Sequence, residues 1–408
     1  MSVVDDFRQL SRSQRNTFIA AVAGWSLDAF DFFIFVFALK AIAADFHTDV
    51  KPVAEGIFLT LAMRPVGALF FGWLAERYGR RPILMVNIVS YSLCELASAF
   101  APSLQALLIL RALFGFAMGG EWGIGAALTL ESLPAKGRGV FSGILQEGYV
   151  IGYLLASILF AFGFQALGWR GMFVVGAAPA LLVLYIRSQV EESPTWLAGR
   201  QAPRATAGQG MTAIKAYLPT FIFMVVMMAF FNAFSHGSQD LYPTFLQMQH
   251  GFSARTTGTI AIVYNVGALC GGIFFGAFSE RIGRRRAIAL AALLALPMIP
   301  LWAYSTAPWM FAIGAFLMQF MVQGAWGIVP AHLNELSPPR VRAILPGFAY
   351  QLGNLAMSYM GPFQAGLAQS HGNNYAYALS WTIGVVGVVL AIVVMLGREA
   401  RNTELQTS

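Results

Sequence analysis

The sequence predicts an all-α polytopic membrane protein: twelve transmembrane helices in two pseudo-symmetric six-helix halves. Scarcity of charge, a series of apolar runs and one long internal repeat carry that expectation. Of 408 residues only 45 are charged (26 Lys+Arg, 19 Asp+Glu), which is 11%, while hydrophobic residues make up 57%. A soluble domain carries roughly 25% charged residues, and a water-facing shell cannot be built from so few. A cytosolic enzyme, a secreted disulfide scaffold and a disordered chain are thereby excluded. The net charge of +7 reads as an orientation signal rather than a nucleic-acid footprint, because Lys and Arg set topology in a membrane chain. Cys94 and Cys270 both lie in apolar stretches and imply no disulfide framework.

A helical span needs about 20 apolar residues. Apolar runs fall near 16–44, 54–77, 82–101, 104–133, 139–164 and 170–188, then near 214–247, 253–281, 286–305, 308–336, 342–369 and 375–397. Residues 189–213 are the only long polar stretch, read as a linker between an N-terminal half (1–188) and a C-terminal half (214–408). The opening residues MSVVDDFRQLSRSQR are polar, so no signal peptide is expected. With both termini inside, 20 of the 26 Lys and Arg fall in inside segments. Lys40, Lys51, Arg170 and Arg255 fall outside, and Arg64 and Arg111 lie within spans. The positive-inside rule then places both termini in the cytoplasm of a multi-pass plasma-membrane protein.

The repeat gives the halves. GALFFGWLAERYGRR at 67–81 aligns without gaps to GGIFFGAFSERIGRR at 271–285, with 9 of 15 positions identical at an offset of 204. The same offset carries Trp122 to Trp326, Glu131 to Glu335, Arg138 to Arg342 and Gly143 to Gly347. Chance likeness of apolar sequence fails as an explanation, since the matches include charged and glycine positions. Two such halves imply a pseudo-two-fold axis along the membrane normal, with a path between them.

The G-x-L-x-E-R-x-G-R-R stretch and its copy resemble the loop signature of the major facilitator superfamily, with Glu76 and Glu280 where Asp is common. The resemblance implies a rocker-switch transporter. Gly72 and Gly276 are expected where a helix packs closely on its neighbour. Arg77, Arg81, Arg281 and Arg285, with Glu131, Glu335, Arg138 and Arg342 at four helix ends, are expected to latch the halves and release as they rock. Arg111 opens R-x-x-x-G-x-x-x-G in span four, similar to the family's span-four motif; snorkelling to the outer edge is the plain alternative.

Ionisable groups at span depth are costly and mark functional candidates. They are Asp28, Asp31, Arg64, Glu95, Glu121, Glu147, His236, Asp240 and His332. Span seven holds the most specific pattern: in NAFSHGSQDLYPT, Asn232, Ser235, His236 and Gln239 fall at i, i+3, i+4 and i+7, with Asp240 beside them. Such a stripe cannot face lipid. Counted from Lys215, Asn232 lies about 26 Å into the span and His236 about 32 Å. Arg64 falls near the midplane, where a guanidinium can pair bidentately with a carboxylate; a permanent pair with Asp28 or Asp31 is the alternative. Gln351 and Asn354 share one face of span eleven and can orient a carboxylate or hydroxyl without adding charge. Asp28 and Asp31 map under the offset onto Asn232 and Ser235, so opposed polar stripes are expected, and two close acids offer a proton site. Glu147 in LQEGY is a further titratable candidate.

The span-seven stretch closely resembles the signature of the Jen-type lactate/pyruvate:proton symporters, which group with the sialate:proton symporters. It departs by one residue between His236 and Ser238. LESLPAKGRGVFSGILQEGYVIGYLLA at 130–156 and the Gln351/Asn354 pair resemble the same family. What the resemblance implies is proton-coupled uptake of short monocarboxylates by alternating access, with no cofactor beyond the proton gradient. Arg64, Asn232, Gln239, Gln351 and Asn354 would bind substrate, and Asp28, Asp31, His236, Asp240 and Glu147 would couple protons. The expected partners are a small carboxylate, protons and the bilayer. No nucleic acid is expected, and the chain is expected to work as a monomer. The long polar tails of fungal members are missing, which points to a bacterial inner membrane.

Rival readings remain. D-x-x-D in span one also occurs in aromatic acid symporters, and EESPTWL at 191–197 resembles a sugar-porter loop. Phe30, Phe32, Phe33 and Phe234 suggest a narrow aromatic cavity suited to small acids. A carrier-fold nutrient sensor would need a cytoplasmic extension. An intramembrane hydrolase lacks a nucleophile–base spacing, and the five His residues are scattered.

Overall fold

A computed structural model describes residues 10–132, 138–193, 196–197, 217–337 and 345–399. Among the described residues every regular element is helical. In a bilayer this is the arrangement that pairs each backbone N–H and C=O within its own segment. Nine helical segments among the described residues are long and apolar enough to cross a membrane.

Spans one to four are the helices Arg12–Asp45, Val50–Tyr78, Arg80–Ala99 and Leu104–Ser132. The helix Arg138–Gly176 contains span five and the start of span six, broken at Gly168, whose φ of 60° favours glycine. Leu182–Gln189 completes span six. Span seven is Leu218–Gln239 continued by Tyr242–Met248; span eight is Ala254–Ile282. Spans nine, ten and eleven are each interrupted: Arg284–Ala295 with Ile299–Ala303, Pro308–Trp326 with Val329–Leu336, and Leu345–Met357 with Met360–Ser370. Span twelve is Tyr375–Leu396. A hydroxyl–amide capping box of Ser11 and Gln14 fixes the start of span one.

Spans one and seven begin, and spans six and twelve end, on one face, here called the base. Ser13 Oγ donates to Glu191 at 2.8 Å there. At the opposite, far face Arg170 pairs with Asp45 at 3.0 Å.

The two halves repeat each other in three dimensions at the sequence offset. In the first, Gly67 of span two has no room for a side chain because the Phe116 backbone of span four lies against it; in the second, Gly271 stands against the Phe320 backbone in the same way. The flanking rings repeat too, Phe70–Phe116 at 5.3 Å and Phe274–Phe320 at 5.6 Å, both inclined at 40°. Gly79 (φ 112°) and Gly283 (φ 96°) make the tight turns out of spans two and eight. Each presses on a carboxylate, Glu192 and Glu399, that accepts from the first backbone N–H groups of the following helix. A carboxylate there satisfies free donors and the helix dipole.

The halves meet through spans five and eight, two and eleven, and one and seven. At the far face the seam is closed: Lys40 Nζ donates to Gln247 O at 3.0 Å, Gln369 to Asp49 at 3.1 Å, and Tyr359 to Glu55 at 3.4 Å. Gly258 of span eight touches the backbone of Ala161 in span five.

Candidate transport pathway

Span seven supplies the core of the site. From Phe231 to Gln247 every residue is buried, yet the stretch includes eight polar or charged side chains. His236 Nδ1 lies 2.9 Å from Asp240 Oδ2, at an i,i+4 spacing that brings the two together along one helix face. Gln239 Nε2 donates to Ser235 Oγ and to Tyr149 Oη of span five, both at 3.2 Å. Asn232 Nδ2 donates to the Met228 carbonyl at 2.8 Å, and its Oδ1 has no partner.

A cleft between the halves opens over this stripe. Span five lines it with Gln146, Glu147, Tyr149 and Val150, span seven with Asn232, Ser235 and His236, span ten with Gln323, Trp326 and Gly327, and span eleven with Tyr350. Glu147 Oε2 has no partner, while Oε1 fills the space where Gly272 of span eight lacks a side chain. Towards the far face aromatic rings shut the cleft. Phe33 stacks on Tyr153 at 3.5 Å, Tyr153 hydrogen-bonds Tyr264 and donates to the Gln239 carbonyl, and Phe32 sets its edge against His236 at 6.0 Å. Of the four phenylalanines expected around the cavity, Phe234 instead faces Gly387 of span twelve.

The remaining ionisable candidates form a second cluster inside the first half. Asp28 and Asp31 are fully buried, and all four of their carboxylate oxygens are unpartnered. Arg64 acts electrostatically on Asp28 and on Glu121, whose carboxylate packs against Gly24. Arg111 pairs with Glu95 at 2.6 Å and donates to Ser98 at 2.8 Å, inside a cage of Phe35, Phe114 and Phe173. Arg111 is 1% exposed, so it does not snorkel. Asp31 turns to Glu95 across Gly176 of span six, rather than to the span-seven stripe. The expected pair of opposed stripes is therefore not the arrangement found. Span one presents Phe32 and Phe33 to the cleft, and its acids lie among the spans of their own half.

Arg64 sits one aromatic layer behind the cleft. Its guanidinium lies 5.7 Å from the Trp25 ring, which stands 5.8 Å from Tyr149 of the cleft wall. Two of its nitrogens, Nε and Nη2, have no hydrogen-bond partner. Gln351 and Asn354 are buried on span eleven and bonded to each other at 3.3 Å, leaving Asn354 Oδ1 unpartnered.

At the base, the described partners of Arg81, Arg284 and Arg285 lie within their own half. Arg284, which the sequence reading did not single out, holds Glu280 at 2.7 Å, Glu335 at 3.1 Å and Ser279 at 2.6 Å. Arg285 donates to the Val394 and Met395 carbonyls at the end of span twelve, and Arg81 to the Arg187 carbonyl at the end of span six. Arg77 is exposed over the Trp73 and Tyr78 rings. Arg342, and the side chains of Glu76, Glu131 and Arg138, lie outside the described residues. A side chain at Gly72 would meet nothing within 4 Å, and one at Gly276 only the Gly327 carbonyl at 3.8 Å. The expected close packing there belongs instead to Gly67, Gly115, Gly119 and Gly271, where backbones touch directly.

Span ten holds two residues that sequence reasoning missed. Gln319 donates to Ser238 at 3.1 Å and Gln323 to Ser235 at 3.4 Å, tying span ten to the stripe. Their i,i+4 spacing within an apolar span was the available signal.

Comparison with known proteins agrees with this architecture. Residues 17–216 match the family model described as "Sugar (and other) transporter", and residues 222–408 match that of the Major Facilitator Superfamily. A probable 4-methylmuconolactone transporter of Cupriavidus pinatubonensis is 32% identical over 84% of this chain and 81% of its own length. The chain belongs to the major facilitator superfamily. It is a multi-pass membrane transporter and not an enzyme. A carboxylic acid transporter protein homolog of Saccharomyces cerevisiae is 28% identical over 99% of the chain and 71% of its own length, and the sialic acid transporter NanX of Escherichia coli is 28% identical over 85% of each. A partially occluded inward-open structure of the xylose transporter XylE from E. coli superposes with a TM-score of 0.76 at 19% identity, covering 94% of this chain and 97% of that one. At that identity the likeness is one of fold.

Proposed function

We propose that this protein is a secondary active transporter of small organic acids that takes up short monocarboxylates, such as lactate and pyruvate, together with protons. The base faces the cytoplasm of a bacterial inner membrane, and the path lies within a single chain. The observation that carries the reading is the His236–Asp240 pair at 2.9 Å, set in a cleft whose other polar groups are mostly uncharged. Relatives named as transporters of carboxylic acid, 4-methylmuconolactone and sialic acid support the substrate class.

The chemistry follows from the two ring nitrogens. Nδ1–H donates to the Asp240 carboxylate, so a neutral His236 presents an acceptor at Nε2, which repels an anion. A proton arriving at Nε2 turns that acceptor into a donor, and Asp240 stabilises the imidazolium. The anion then binds to a group that the proton has just made. One proton and one monocarboxylate leave the site with its original net charge, so the loaded carrier rocks without dragging extra charge through an apolar barrier. Glu147 supplies a second titratable group facing the cleft. Asn232, Gln239, Gln351 and Asn354 orient the substrate.

Arg64 keeps two donors in reserve behind Trp25, with Asp28 and Asp31 as buried proton acceptors in the same half. In this reading it engages the carboxylate when the rings in front of it move. Arg284, now paired with Glu280 and Glu335 of its own half, and the other base arginines and glutamates exchange partners across the seam when the base closes.

Counterflow in proteoliposomes with lactate, pyruvate, benzoate, sialate and glucose, with and without a pH gradient, tests the reading. Lactate and pyruvate are expected to exchange, and to accumulate when the far side is acidic. Exchange of sialate, benzoate or glucose in their place would replace the substrate assignment. Arg64→Ala is expected to abolish uptake with the protein still folded, and Arg64→Lys not to restore it, since an ammonium cannot make the planar bidentate pair. Normal lactate uptake by Arg64→Ala would remove the clamp.

A further inference from the structure

The hydrogen-bonding polarity of the cleft carries a statement about which monocarboxylates it prefers. It rests on the proposed function above. The amide of Asn232 cannot be turned round, because Nδ2 is committed to the Met228 carbonyl at 2.8 Å and a reversed amide would set oxygen against oxygen. Its Oδ1 therefore faces away from the backbone as an acceptor, unpartnered on a side chain only 1% exposed. One helical turn further on, Ser235 Oγ accepts from Gln239 at 3.2 Å and from Gln323 at 3.4 Å. With its acceptor sites filled, the Ser235 hydroxyl has its own proton left to give. His236, the next residue, has Nδ1 engaged by Asp240 and its other nitrogen uncommitted.

Along one face of span seven the cleft thus offers an acceptor at position 232 and, a turn away, two donors at 235 and 236 once His236 is protonated. We infer that Asn232 selects 2-hydroxy acids over their 2-oxo and 2-deoxy counterparts. The substrate carboxylate accepts hydrogen bonds from Ser235 and His236, and the 2-hydroxyl donates to Asn232 Oδ1. A 2-oxo acid brings only acceptors and leaves that buried oxygen facing another. A 2-deoxy acid leaves it dry and unpaired. Leaving such a group unsatisfied weakens binding by roughly 5- to 150-fold.

The test uses the intact protein in proteoliposomes loaded with a pH-sensitive dye, scoring proton movement driven by L-lactate, pyruvate, propionate and 2-methoxypropionate. Wild type is expected to favour lactate by at least roughly fivefold over each of the others. The methoxy acid matters most, because it keeps the oxygen and lacks only the donated proton. In Asn232→Leu, the preference for lactate over pyruvate and propionate is expected to collapse towards unity. Equal responses to lactate, pyruvate and 2-methoxypropionate in wild type would overturn the inference while leaving monocarboxylate symport intact. A lactate preference that survives Asn232→Leu would overturn it as well. Failure of all four acids would instead overturn the transport reading on which it rests. Should Asn232→Leu not fold, the wild-type comparison of lactate with its methoxy analogue still decides the matter.

Discussion

Two acids compete for one buried arginine in the first half, and the geometry shows which holds it. Glu95 lies 2.6 Å from Arg111, whereas Asp31, within electrostatic reach of both, keeps two unpartnered oxygens. Removing one member of a buried pair strands the other charge at a cost of about 3–5 kcal/mol, while replacing both with apolar groups is often neutral. Glu95→Ala and Arg111→Ala should each lower the unfolding temperature in detergent sharply, and Glu95→Leu combined with Arg111→Met should recover most of it. A double variant as unstable as either single one would show that the pair is not an isolated energetic unit. At this scale the sequence was informative for span seven, where polar residues at i, i+3, i+4 and i+7 specify a face without reference to any neighbour. It was less informative for Asp28 and Asp31. Their mutual spacing is local, but the direction they face depends on spans three, four and six.

At the scale of the helix, glycine does most of the positioning. Gly115 and Gly119 bring span four against the Thr60 and Arg64 backbones, and Gly258 brings span eight against Ala161 across the seam. A side chain at Gly258 would wedge the far ends of the halves apart. Overpacking of this kind costs about 1–3 kcal/mol, and here it falls on the far-closed state alone, enough to move the balance by about tenfold. In Gly258→Val, a cysteine placed at Ser235 in a background lacking Cys94 and Cys270 should be alkylated faster from the far side than in the parent. Unchanged labelling would mean that spans five and eight do not gate the cleft. The repeat motif announced the pseudo-symmetry but misplaced its tight contacts. Gly72 lies within the motif, yet the packing glycine is Gly67 one turn and a half earlier, because contact depends on where span four crosses. Gln319 and Gln323 were readable as a polar pair at i,i+4 in an apolar span, but that span ten leans on span seven was not.

For the whole molecule, contacts between the halves seal the far face and the cleft lies over the base half of span five, which in the proposed function is one end of a rocking cycle. Twelve spans and two halves were legible in the chain because hydropathy, Lys and Arg distribution and the 204-residue offset are all one-dimensional signals. Which half-to-half contacts form in a given state is three-dimensional and is not written in those signals. In the function proposed here, His236 and Asp240 are where a proton and an anion meet. The most direct test of that claim is proton flux driven by an L-lactate gradient in proteoliposomes, compared between wild type, His236→Ala and Asp240→Asn. The account predicts that lactate leaving wild-type vesicles carries protons with it and raises the luminal pH, and that both variants lose this coupled flux. Lactate efflux without any change in luminal pH, or full coupling in either variant, would contradict it.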